Sequence, residues 1–370
     1  MRLRALVLAA GLGTRLRPLT AVTPKPLLPV AGQPILARTL RRLAAAGCEA
    51  AAINLHHGAE QIRRRFGPAL DGLPLTYSEE PLLLGTLGAF APLRGFFAGA
   101  DLGLIVNGDS LCRWPLAELI RHHLASDGAL ATLLLSARAD PARFGGGVAV
   151  GRDGALLELR PGGGALAGVP RLHPARAAAA DGRTGARPGG SAAEGGTGAQ
   201  PIGIAAARPL PRRLVFAGAH VLSPRLLERI AADVAAVPAD IVRDLYEPLI
   251  AEQPGCLASL ITGRHWHDLG TPRRYLAAVL DWAGATGRGR WISPAAEVSP
   301  AAEVRRATIE AGCRVEAGAS IEGSVLLPGA GVGVGCVVRG AILGDGAELP
   351  AGARIEDQLL TGSGERTELW

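Results

Sequence analysis

Residues 6–28 read LVLAAGLGTRLRPLTAVTPKPLL, and this stretch sets the architecture that we predict for the first part of the chain. Its apolar start, residues 5–8, is typical of a buried parallel strand. A loop of small residues follows at once, and its glycines, Gly11 and Gly13, allow left-handed backbone and a close approach of N–H groups to an anion. Arg15 adds a fork of donors at the far end. A strand that enters such a loop indicates a site for a polyphosphate.

Lys25 strengthens the polyphosphate interpretation. It is the only lysine among the 39 Lys and Arg residues, and it lies between Pro24 and Pro26. A compact ammonium on a flexible stem suits a phosphate in transfer better than a rigid guanidinium does. A tight strand-to-helix turn that binds nothing would use the same glycines, and it stays as the alternative.

Two other interpretations of the N-terminal stretch fail on detail. A dinucleotide-binding fingerprint requires a third glycine at position 16, which is leucine. A secretory signal requires a longer apolar run than residues 5–10 provide. We therefore expect a mature N-terminus and a cytoplasmic protein.

Composition sets limits on the class of protein. A chain of 370 residues, 48% of them hydrophobic, is long enough for two domains and a sizeable core. No apolar run approaches the ~20 residues of a membrane span. The net charge is +6, and the basic runs contain no aromatic residues, so the composition does not favour a nucleic-acid-binding protein. The five cysteines are odd in number and lack C-x-x-C spacing, which indicates a reducing compartment and argues against a zinc site.

Strand and helix patterns alternate through the first 290 residues. Helical spacing covers residues 34–47, 116–126 and 273–282, and short apolar runs lie between such segments. This alternation predicts an α/β domain with a Rossmann-like, mostly parallel sheet and helices on both faces, which binds ligands at the carboxyl ends of its strands. A segment at about 162–212 is rich in Gly, Ala, Pro and Arg and is expected to be a mobile insertion. Order is expected to return at residues 214–216.

A different pattern governs residues 291–370. Ile292, Val298 and Val304 recur every six residues, as do Ile309 and Val315, and later hexads continue with slippage. Hexads of this kind predict a left-handed parallel β-helix, in which each coil buries its apolar edge against the next. The β-helix is expected to be a structural module that packs on the α/β domain or forms a homo-oligomer.

Residues 8–36, LAAGLGTRLRPLTAVTPKPLLPVAGQPIL, resemble the signature of the sugar-1-phosphate nucleotidyltransferases. The resemblance implies an enzyme that transfers a nucleoside monophosphate from a nucleoside triphosphate to a sugar 1-phosphate and releases pyrophosphate. It implies that Arg15, Lys25 and Asp109 are catalytic. The nucleotide-binding residues that it implies are Leu8, Ala9, Ala10, Gly11, Gly13, Thr14, Arg15, Glu80, Pro81, Gly85, Thr86, Asn107 and Gly108.

Two carboxylates are candidates for a magnesium site. Asp109 follows a buried strand in Val106-Asn107-Gly108-Asp109, and the resemblance assigns this aspartate to the metal. Asp268 lies in residues 265–272, HWHDLGTP, which resemble the family's W-x-D-x-G-T-P segment. Hard oxygen ligands supplemented by substrate phosphates suit Mg²⁺. His265 and His267 could suggest a transition-metal pair, but the sequence shows no third ligand nearby.

Recognition of the sugar phosphate rests on the resemblance alone. Residues 144–147, FGGG, resemble the glycine segment that approaches the sugar. Arg160 occupies the place of the lysine in the family's Glu-Lys-Pro motif, whose glutamate this chain lacks. Lys25, Gly146 and Arg160 are therefore the expected sugar-phosphate ligands.

The substrates remain open among related alternatives. Residues 54–57 and 78–81 look like those of mannose-1-phosphate guanylyltransferases and N-acetylmuramate-1-phosphate uridylyltransferases, and the β-helix favours GTP and mannose 1-phosphate. A glucose-1-phosphate uridylyltransferase and a non-catalytic regulatory subunit are further alternatives. An acetyltransferase on the β-helix would lack a histidine base, because all eight histidines lie at or before residue 267.

Overall fold

A computed structural model describes residues 1–144, 147–151, 153–159, 212–285 and 289–369. Gly146, Arg160 and the segment expected to be a mobile insertion therefore lie outside the described residues, apart from Arg212. Among the described residues, no helix combines the length and the apolar character that crossing a bilayer requires.

The first part of the chain alternates strands and helices. The strands are β1 (Leu3–Leu8), β2 (Ala50–Leu55), β3 (Leu73–Glu79), β4 (Leu102–Asn107), β5 (Ser110–Cys112), β6 (Ala131–Ser136), β7 (Val148–Val150), β8 (Leu156–Leu159), β9 (Arg212–Leu222), β10 (Leu257–Thr262) and β11 (Trp266–Asp268). The helices are α1 (Ile35–Ala45), α2 (Ala59–Phe66), α3 (Leu116–Leu124), α4 (Pro224–Asp233), α5 (Glu247–Glu252) and α6 (Pro272–Ala283). Shorter elements include Pro29–Val30, Gln33–Pro34, Ala69–Leu70 and the helical turns Leu19–Val22, Gly85–Gly88 and Arg94–Phe97.

The sheet has a parallel centre, in the order β4-β1-β2-β3. Strand β9 joins this centre by running antiparallel to β4 and to β6, and β10 lies parallel to β6. A hairpin of β7 and β8 completes the other edge. The expected α/β class and parallel centre are confirmed, and the carboxyl ends of β1, β2 and β4 meet at one edge.

Helices cover both faces of the sheet because the side chains of a strand alternate. Along β1, Ala5 and Val7 pack in one buried cluster with α1 and α3, whereas Leu6 packs in the other with α4. Residues 5–8 of β1 are thus apolar on both faces, as expected for a strand that is buried on both sides.

Residues from Trp291 onward form stacked coils with three sheets of parallel strands. The first sheet contains Trp291–Ile292, Thr308–Ile309, Val325–Leu326, Ile342–Leu343 and Gln358–Leu360, with Arg366–Glu368 antiparallel at its end. The second contains Glu297–Val298, Arg314–Val315, Gly331–Val332 and Glu348–Leu349, and the third contains Glu303–Arg305, Ser320–Glu322, Val337–Arg339 and Arg354–Glu356. This arrangement is consistent with the predicted left-handed β-helix.

The slippage in the hexads has a regular cause. Trp291 pairs with Thr308 and Thr308 with Val325, so each coil advances 17 positions along the chain. Three hexads would need 18 positions, so one corner of each coil is one residue shorter. At that corner the backbone is left-handed in every coil, at Arg306, Gly323, Gly340 and Asp357. A glycine or aspartate at such a corner is therefore part of the repeat.

The β-helix packs on the α/β domain through an apolar cluster. Leu16, Leu28 and Tyr275 from the first domain share this cluster with Val325, Ile342 and Leu359 from the coils. Leu359 is fully buried in this cluster, so it contacts the α/β domain.

Polar contacts tie the same interface to the segment that follows Lys25. The Oγ1 hydroxyl of Thr23 donates to Asp345 at 2.6 Å, and the N–H of Gly32 donates to Glu310 at 3.0 Å. A Cβ at Gly32 would lie 2.6 Å from the Trp291 ring, so glycine is required for this close approach. Contacts with the coils therefore help to fix the position of residues 23–34.

Candidate active site

The loop after β1 lies at the carboxyl edge of the sheet and turns on Gly13. Gly13 has φ 62°, and its carbonyl accepts the Oγ1 hydroxyl of Thr20 at 2.8 Å. A Cβ on Gly13 would lie 3.1 Å from Thr20 Cγ2 and 3.5 Å from Lys25 Cβ. Gly11, unlike Gly13, does not use the left-handed backbone that a glycine allows. Among the described residues, no atom lies within 4 Å of a Cβ placed on Gly11, which leaves an open approach to the backbone.

Lys25 and Asp109 form an ion pair beside this loop. Lys25 Nζ donates to Asp109 Oδ2 at 2.7 Å. The lysine side chain is 7% exposed and the aspartate 42%, so the ammonium is enclosed while the carboxylate faces open space. The structure thus brings together the two charged residues that the sequence places 84 positions apart.

Asp268 lies on the strand next to Asp109. Strand β11 runs antiparallel to β5, and Asp268 is opposite Ser110, the neighbour of Asp109. The Asp268 carboxylate accepts a hydrogen bond from the Arg274 guanidinium in the first turn of α6. A Cβ placed on Gly270 would lie 3.0 Å from Asp268 Oδ2 and 3.4 Å from an Nη of Arg15. Arg15 therefore reaches the same corner of the site, which gathers all four expected charged residues.

The donor set of this corner fits a hard divalent cation. Asp109 directly precedes β5 and Asp268 ends the neighbouring strand β11, so both supply carboxylate oxygens here, and both side chains keep some exposure. Few protein carboxylates with positions left for water or phosphate oxygens are what Mg²⁺ prefers. The cations that contact the two carboxylates, Lys25 and Arg274, can also turn toward phosphate.

Gly108 lets the loop that carries Asp109 pack directly on the glycine loop after β1, which is called the phosphate loop below for its predicted role. Its N–H donates to the carbonyl of Leu8 at 2.9 Å, and a Cβ there would lie 2.8 Å from Val7 Cγ1 and 3.2 Å from Ala9 Cβ. Asn107 projects against Gly218 of β9, where a Cβ would lie 2.7 Å from the Asn107 amide nitrogen. Glycines on two elements therefore make space for the predicted nucleotide-binding residues 107 and 108.

Asn54 is a residue at this edge to which the sequence analysis assigns no role. Its Oδ1 accepts the N–H of Ala9 at 2.7 Å, and its Nδ2 donates to Glu80 Oε1 at 2.9 Å. The other oxygen of Glu80 accepts the N–H of Leu84 at 2.9 Å. The signal in the sequence is that Asn54 is one of two asparagines in the chain and lies next to the end of a buried strand.

Glu80 is turned inward. Its side chain is 1% exposed, and burial raises the pKa of its carboxyl, although the hydrogen bonds from Leu84 and Asn54 act in the opposite direction. The structure therefore places Glu80 between the phosphate loop and residues 81–88, where it holds the two loops together. Pro81 is exposed beside it.

Residues 84–88 dock on a second segment that the sequence did not suggest. The Thr86 hydroxyl accepts the N–H of Ile241 at 2.8 Å and donates to Asp240 at 3.1 Å. A Cβ on Gly88 would lie 2.2 Å from the carbonyl oxygen of Val237, and Gly85 has φ 71°. The Thr86 hydroxyl thus makes its hydrogen bonds within the protein, and Gly85 and Gly88 allow residues 84–88 to pack closely on residues 237–241.

The remaining predicted residues have simpler positions. Ala10 is buried behind the loop, and Thr14 and Arg15 are exposed in the helical turn Thr14–Leu16. Gly146 and Arg160 lie outside the described residues and stay predictions. The expectation that His265 and His267 lack a third ligand is wrong, because folding brings Asp281 of α6 to both rings.

Comparisons with known proteins agree with this geometry. Residues 4–160 match the family model described as Nucleotidyl transferase, and residues 288–360 match the model described as GlmU-like, C-terminal hexapeptide. Each match covers less than half of the chain, and together they include both structural parts.

Three similar proteins carry related names. The Mannose-1-phosphate guanylyltransferase catalytic subunit beta of Drosophila pseudoobscura pseudoobscura is 27% identical over 279 residues, which are 75% of this chain and 61% of that protein. The Mannose-1-phosphate guanylyltransferase of Mycobacterium tuberculosis is 41% identical over 142 residues, 38% of this chain and 39% of that protein. The Probable mannose-1-phosphate guanylyltransferase 2 of Arabidopsis thaliana is 26% identical over 287 residues, 75% of this chain and 64% of that protein. The chain thus spans less than two thirds of the length of these relatives.

Proposed function

We propose that this chain, which carries a nucleotidyl transferase domain followed by a GlmU-like hexapeptide domain, transfers a nucleoside monophosphate from a nucleoside triphosphate to a sugar 1-phosphate. The Lys25–Asp109 ion pair beside the phosphate loop carries the proposal. The names of the similar proteins favour GTP and mannose 1-phosphate as the substrates.

The reaction is an in-line displacement at the α-phosphorus. An oxygen of the sugar phosphate forms a bond to that phosphorus, while the bond to the β-phosphate oxygen breaks and pyrophosphate leaves with the electron pair. Positioning and charge neutralisation supply most of the rate in phosphoryl-transfer enzymes of this kind. The open backbone at Gly11 and the turn at Gly13 can face the triphosphate, and Arg15 and Lys25 can neutralise the charge that moves to the leaving group.

Asp109 and Asp268 would hold Mg²⁺, which supplies charge neutralisation at the phosphates when bound. Lys25 is anchored by Asp109 within the site, and its flexible stem can turn the ammonium from the carboxylate to a phosphate oxygen. Asn54 and Glu80 hold the phosphate loop and residues 81–88 in register. Free, buried thiols at all five cysteines fit the reducing cytoplasm that we propose as its location.

A substrate panel tests the proposed reaction. The full chain is incubated with Mg²⁺, each of the four ribonucleoside triphosphates and each of mannose 1-phosphate, glucose 1-phosphate and N-acetylmuramate 1-phosphate, and pyrophosphate release is measured. We expect the highest rate with GTP and mannose 1-phosphate. Highest rates with UTP would identify a uridylyltransferase instead, and no release from any pair would favour the non-catalytic subunit.

Lys25→Ala is the matched control in that panel. Asp109 is 42% exposed, so water can solvate its carboxylate when the lysine is removed, and the fold is expected to persist. We expect turnover to fall by about 10²–10³-fold, the loss typical of removing one preorganised charge-stabilising group. Near-normal turnover in this variant would show that Lys25 does not act on the transferring phosphate.

A further inference from the structure

A second cluster of metal-binding side chains lies on the opposite face of β11 from Asp268. Successive side chains of a strand point to opposite faces, so His265 and His267 share one face and Asp268 lies on the other. The pairing of β11 with β5 extends to His265, whose carbonyl accepts the N–H of Arg113 at 3.0 Å. Two histidines are thus fixed side by side on a paired strand.

Both imidazoles converge on one carboxylate oxygen of α6. His265 Nδ1 lies 3.0 Å from Asp281 Oδ2, and His267 Nε2 lies 2.9 Å from the same oxygen. The rings are stacked with an interplanar angle of 26°, and the three candidate ligand atoms all lie within 4.8 Å of one another. The two ring nitrogens and the carboxylate oxygen therefore point into one small volume.

These separations are close to the edges of a coordination polyhedron. Imidazole nitrogens and carboxylate oxygens bind Zn²⁺ at about 2.0–2.2 Å, so ligands that share one tetrahedral ion lie about 3.3–3.6 Å apart. The two nitrogen–oxygen distances, 3.0 and 2.9 Å, are a few tenths of an ångström shorter, so a small outward shift of the side chains would admit the ion. Rotation of the partly exposed rings, 37% and 27% accessible, can bring the two nitrogens into the same range.

The chemistry of the ligand set distinguishes this cluster from the proposed catalytic site. Imidazole suits zinc, nickel, copper and iron, whereas carboxylate and water suit Mg²⁺. Asp109 and Asp268 offer oxygen atoms only, whereas this cluster offers two nitrogens and one oxygen. Asp281 is 45% exposed, which leaves room for water as a further ligand.

We propose that His265, His267 and Asp281 form a binding site for a first-row divalent transition-metal ion, separate from the Asp109–Asp268 site. An ion held there joins β11, which carries Asp268, to α6, which carries Arg274. A bound ion would thus link two elements that position the residues of the proposed active site. The proposal does not depend on the identity of the reaction.

Zinc binding to the untagged full chain tests the proposal. The protein is stripped with chelator, equilibrated with Zn²⁺ in the presence of excess Mg²⁺, dialysed, and analysed for metal content and for thermal stability. We expect one tightly held Zn²⁺ per chain and a higher melting temperature with zinc. Co²⁺ in place of Zn²⁺ should give visible absorption bands of nitrogen-coordinated cobalt.

Three variants locate the ion. Asp281→Asn keeps the shape of the side chain, and we expect it and His265→Ala to lower zinc affinity at least ~10-fold, because even changes outside the ligand shell cost that much. His122→Ala removes a partly exposed histidine of α3 and should leave binding unchanged. Retained zinc in both Asp281→Asn and His265→Ala, no zinc in the unaltered chain, or loss of zinc in Asp109→Ala alone would each overturn the proposal.

Discussion

Asn54 connects the loop after β1 with Glu80, at the start of the loop that includes residues 81–88. One amide group serves Ala9 with its oxygen and Glu80 with its nitrogen, and both partners are buried. A buried N–H or carboxylate that loses its partner costs more free energy than the lost hydrogen bond contributes. The positions of the phosphate loop and of residues 81–88 therefore depend on this one side chain.

We expect Asn54→Ala to lower the free energy of unfolding by about 1–3 kcal/mol, because the N–H of Ala9 and one Glu80 oxygen lose their partner. Turnover should fall as well, since the phosphate loop loses its anchor. Urea denaturation and pyrophosphate release measure the two effects. A variant that matched the unaltered chain in both would show that water replaces the amide and that the network does not position the loop.

Glu310 is a carboxyl group of the β-helix that faces the first domain. It is 2% exposed, and burial raises its pKa from 4.5 to about 7, while the Gly32 N–H and Arg38 act in the opposite direction. A folded-state pKa above the unfolded value means that the folded chain holds the proton more tightly. Its stabilising contribution is therefore complete below about pH 4.5 and is lost as the pH rises through 7.

Glu310→Gln removes this titration while its amide oxygen can still accept the Gly32 N–H. Relative to this variant, the unaltered chain should lose up to about 3 kcal/mol of unfolding free energy between pH 4.5 and 8, at 1.36 kcal/mol for each pKa unit. Urea denaturation at a series of pH values gives the difference. Glu316→Gln, at an exposed position of the same coils, is the control. A difference that did not vary with pH would contradict the assigned titration.

The secondary-structure elements near the phosphate loop were the most predictable part of the chain. The apolar run of β1 and the glycine loop predict the parallel strand and the turn, because both signals are local. The docking of Thr86 on Asp240 was not predictable, since the partners lie 154 positions apart and no periodicity relates them. Asp281 was missed as a partner of the two histidines because it lies on a different element, 14 positions after His267, and no sequence pattern relates them.

The sequence predicted that the hexads form stacked coils, but it did not predict the number of residues in each coil. Side chains at six-residue spacing indicate coils, whereas the 17-residue advance comes from one corner that is a residue shorter, at which Arg306 and Asp357 occur as well as glycines. Strand β9 was predicted only from residue 214, because it begins directly after a segment of biased composition. Its length matters, since β9 supplies Gly218 to the site.

Alanine substitutions at Gly218 of β9 and at Gly47 form a matched pair of variants. Both glycines have positive φ, 72° and 88°, but a Cβ on Gly218 would lie 2.7 Å from the Asn107 amide nitrogen, whereas no atom of the described part of the chain lies within 4 Å of one on Gly47. Alanine at either position should cost about 1–2 kcal/mol of backbone strain. We expect Gly218→Ala alone to reduce turnover, by displacing Asn107. Equal turnover in the two variants would contradict a role for this contact.

The two parts of the chain form one packed molecule in the described residues. The apolar cluster that joins them includes Leu16 and Leu28, on either side of Lys25, together with Val325, Ile342 and Leu359. The hydroxyl of Tyr275 on α6 also donates to the carbonyl of Pro29. The β-helix therefore supports the segment that holds the candidate catalytic lysine.

A chain that ends at Gly289 would expose the first-domain side of this cluster to water. We expect its melting temperature to fall by about 10 °C, because several buried aliphatic side chains contribute roughly 1.5–3 kcal/mol each. Some nucleotidyl transfer should remain at low temperature, since the four charged residues of the site precede residue 290. Calorimetry and pyrophosphate release measure both, and sedimentation tests the oligomer that we propose forms through the coils. An unchanged melting temperature would contradict the bracing role of the β-helix.

The central claim is that an oxygen of the sugar phosphate attacks the α-phosphorus at the Lys25–Asp109 site. Mannose 1-phosphate labelled with ¹⁸O in its phosphate group distinguishes this route from others, because the attacking group keeps all of its oxygens. With GTP, Mg²⁺ and the full chain, mass spectrometry should find every labelled oxygen in GDP-mannose and none in pyrophosphate, and Asp109→Ala should form neither product at an appreciable rate. Label in pyrophosphate, or equal product formation by Asp109→Ala, would contradict the account.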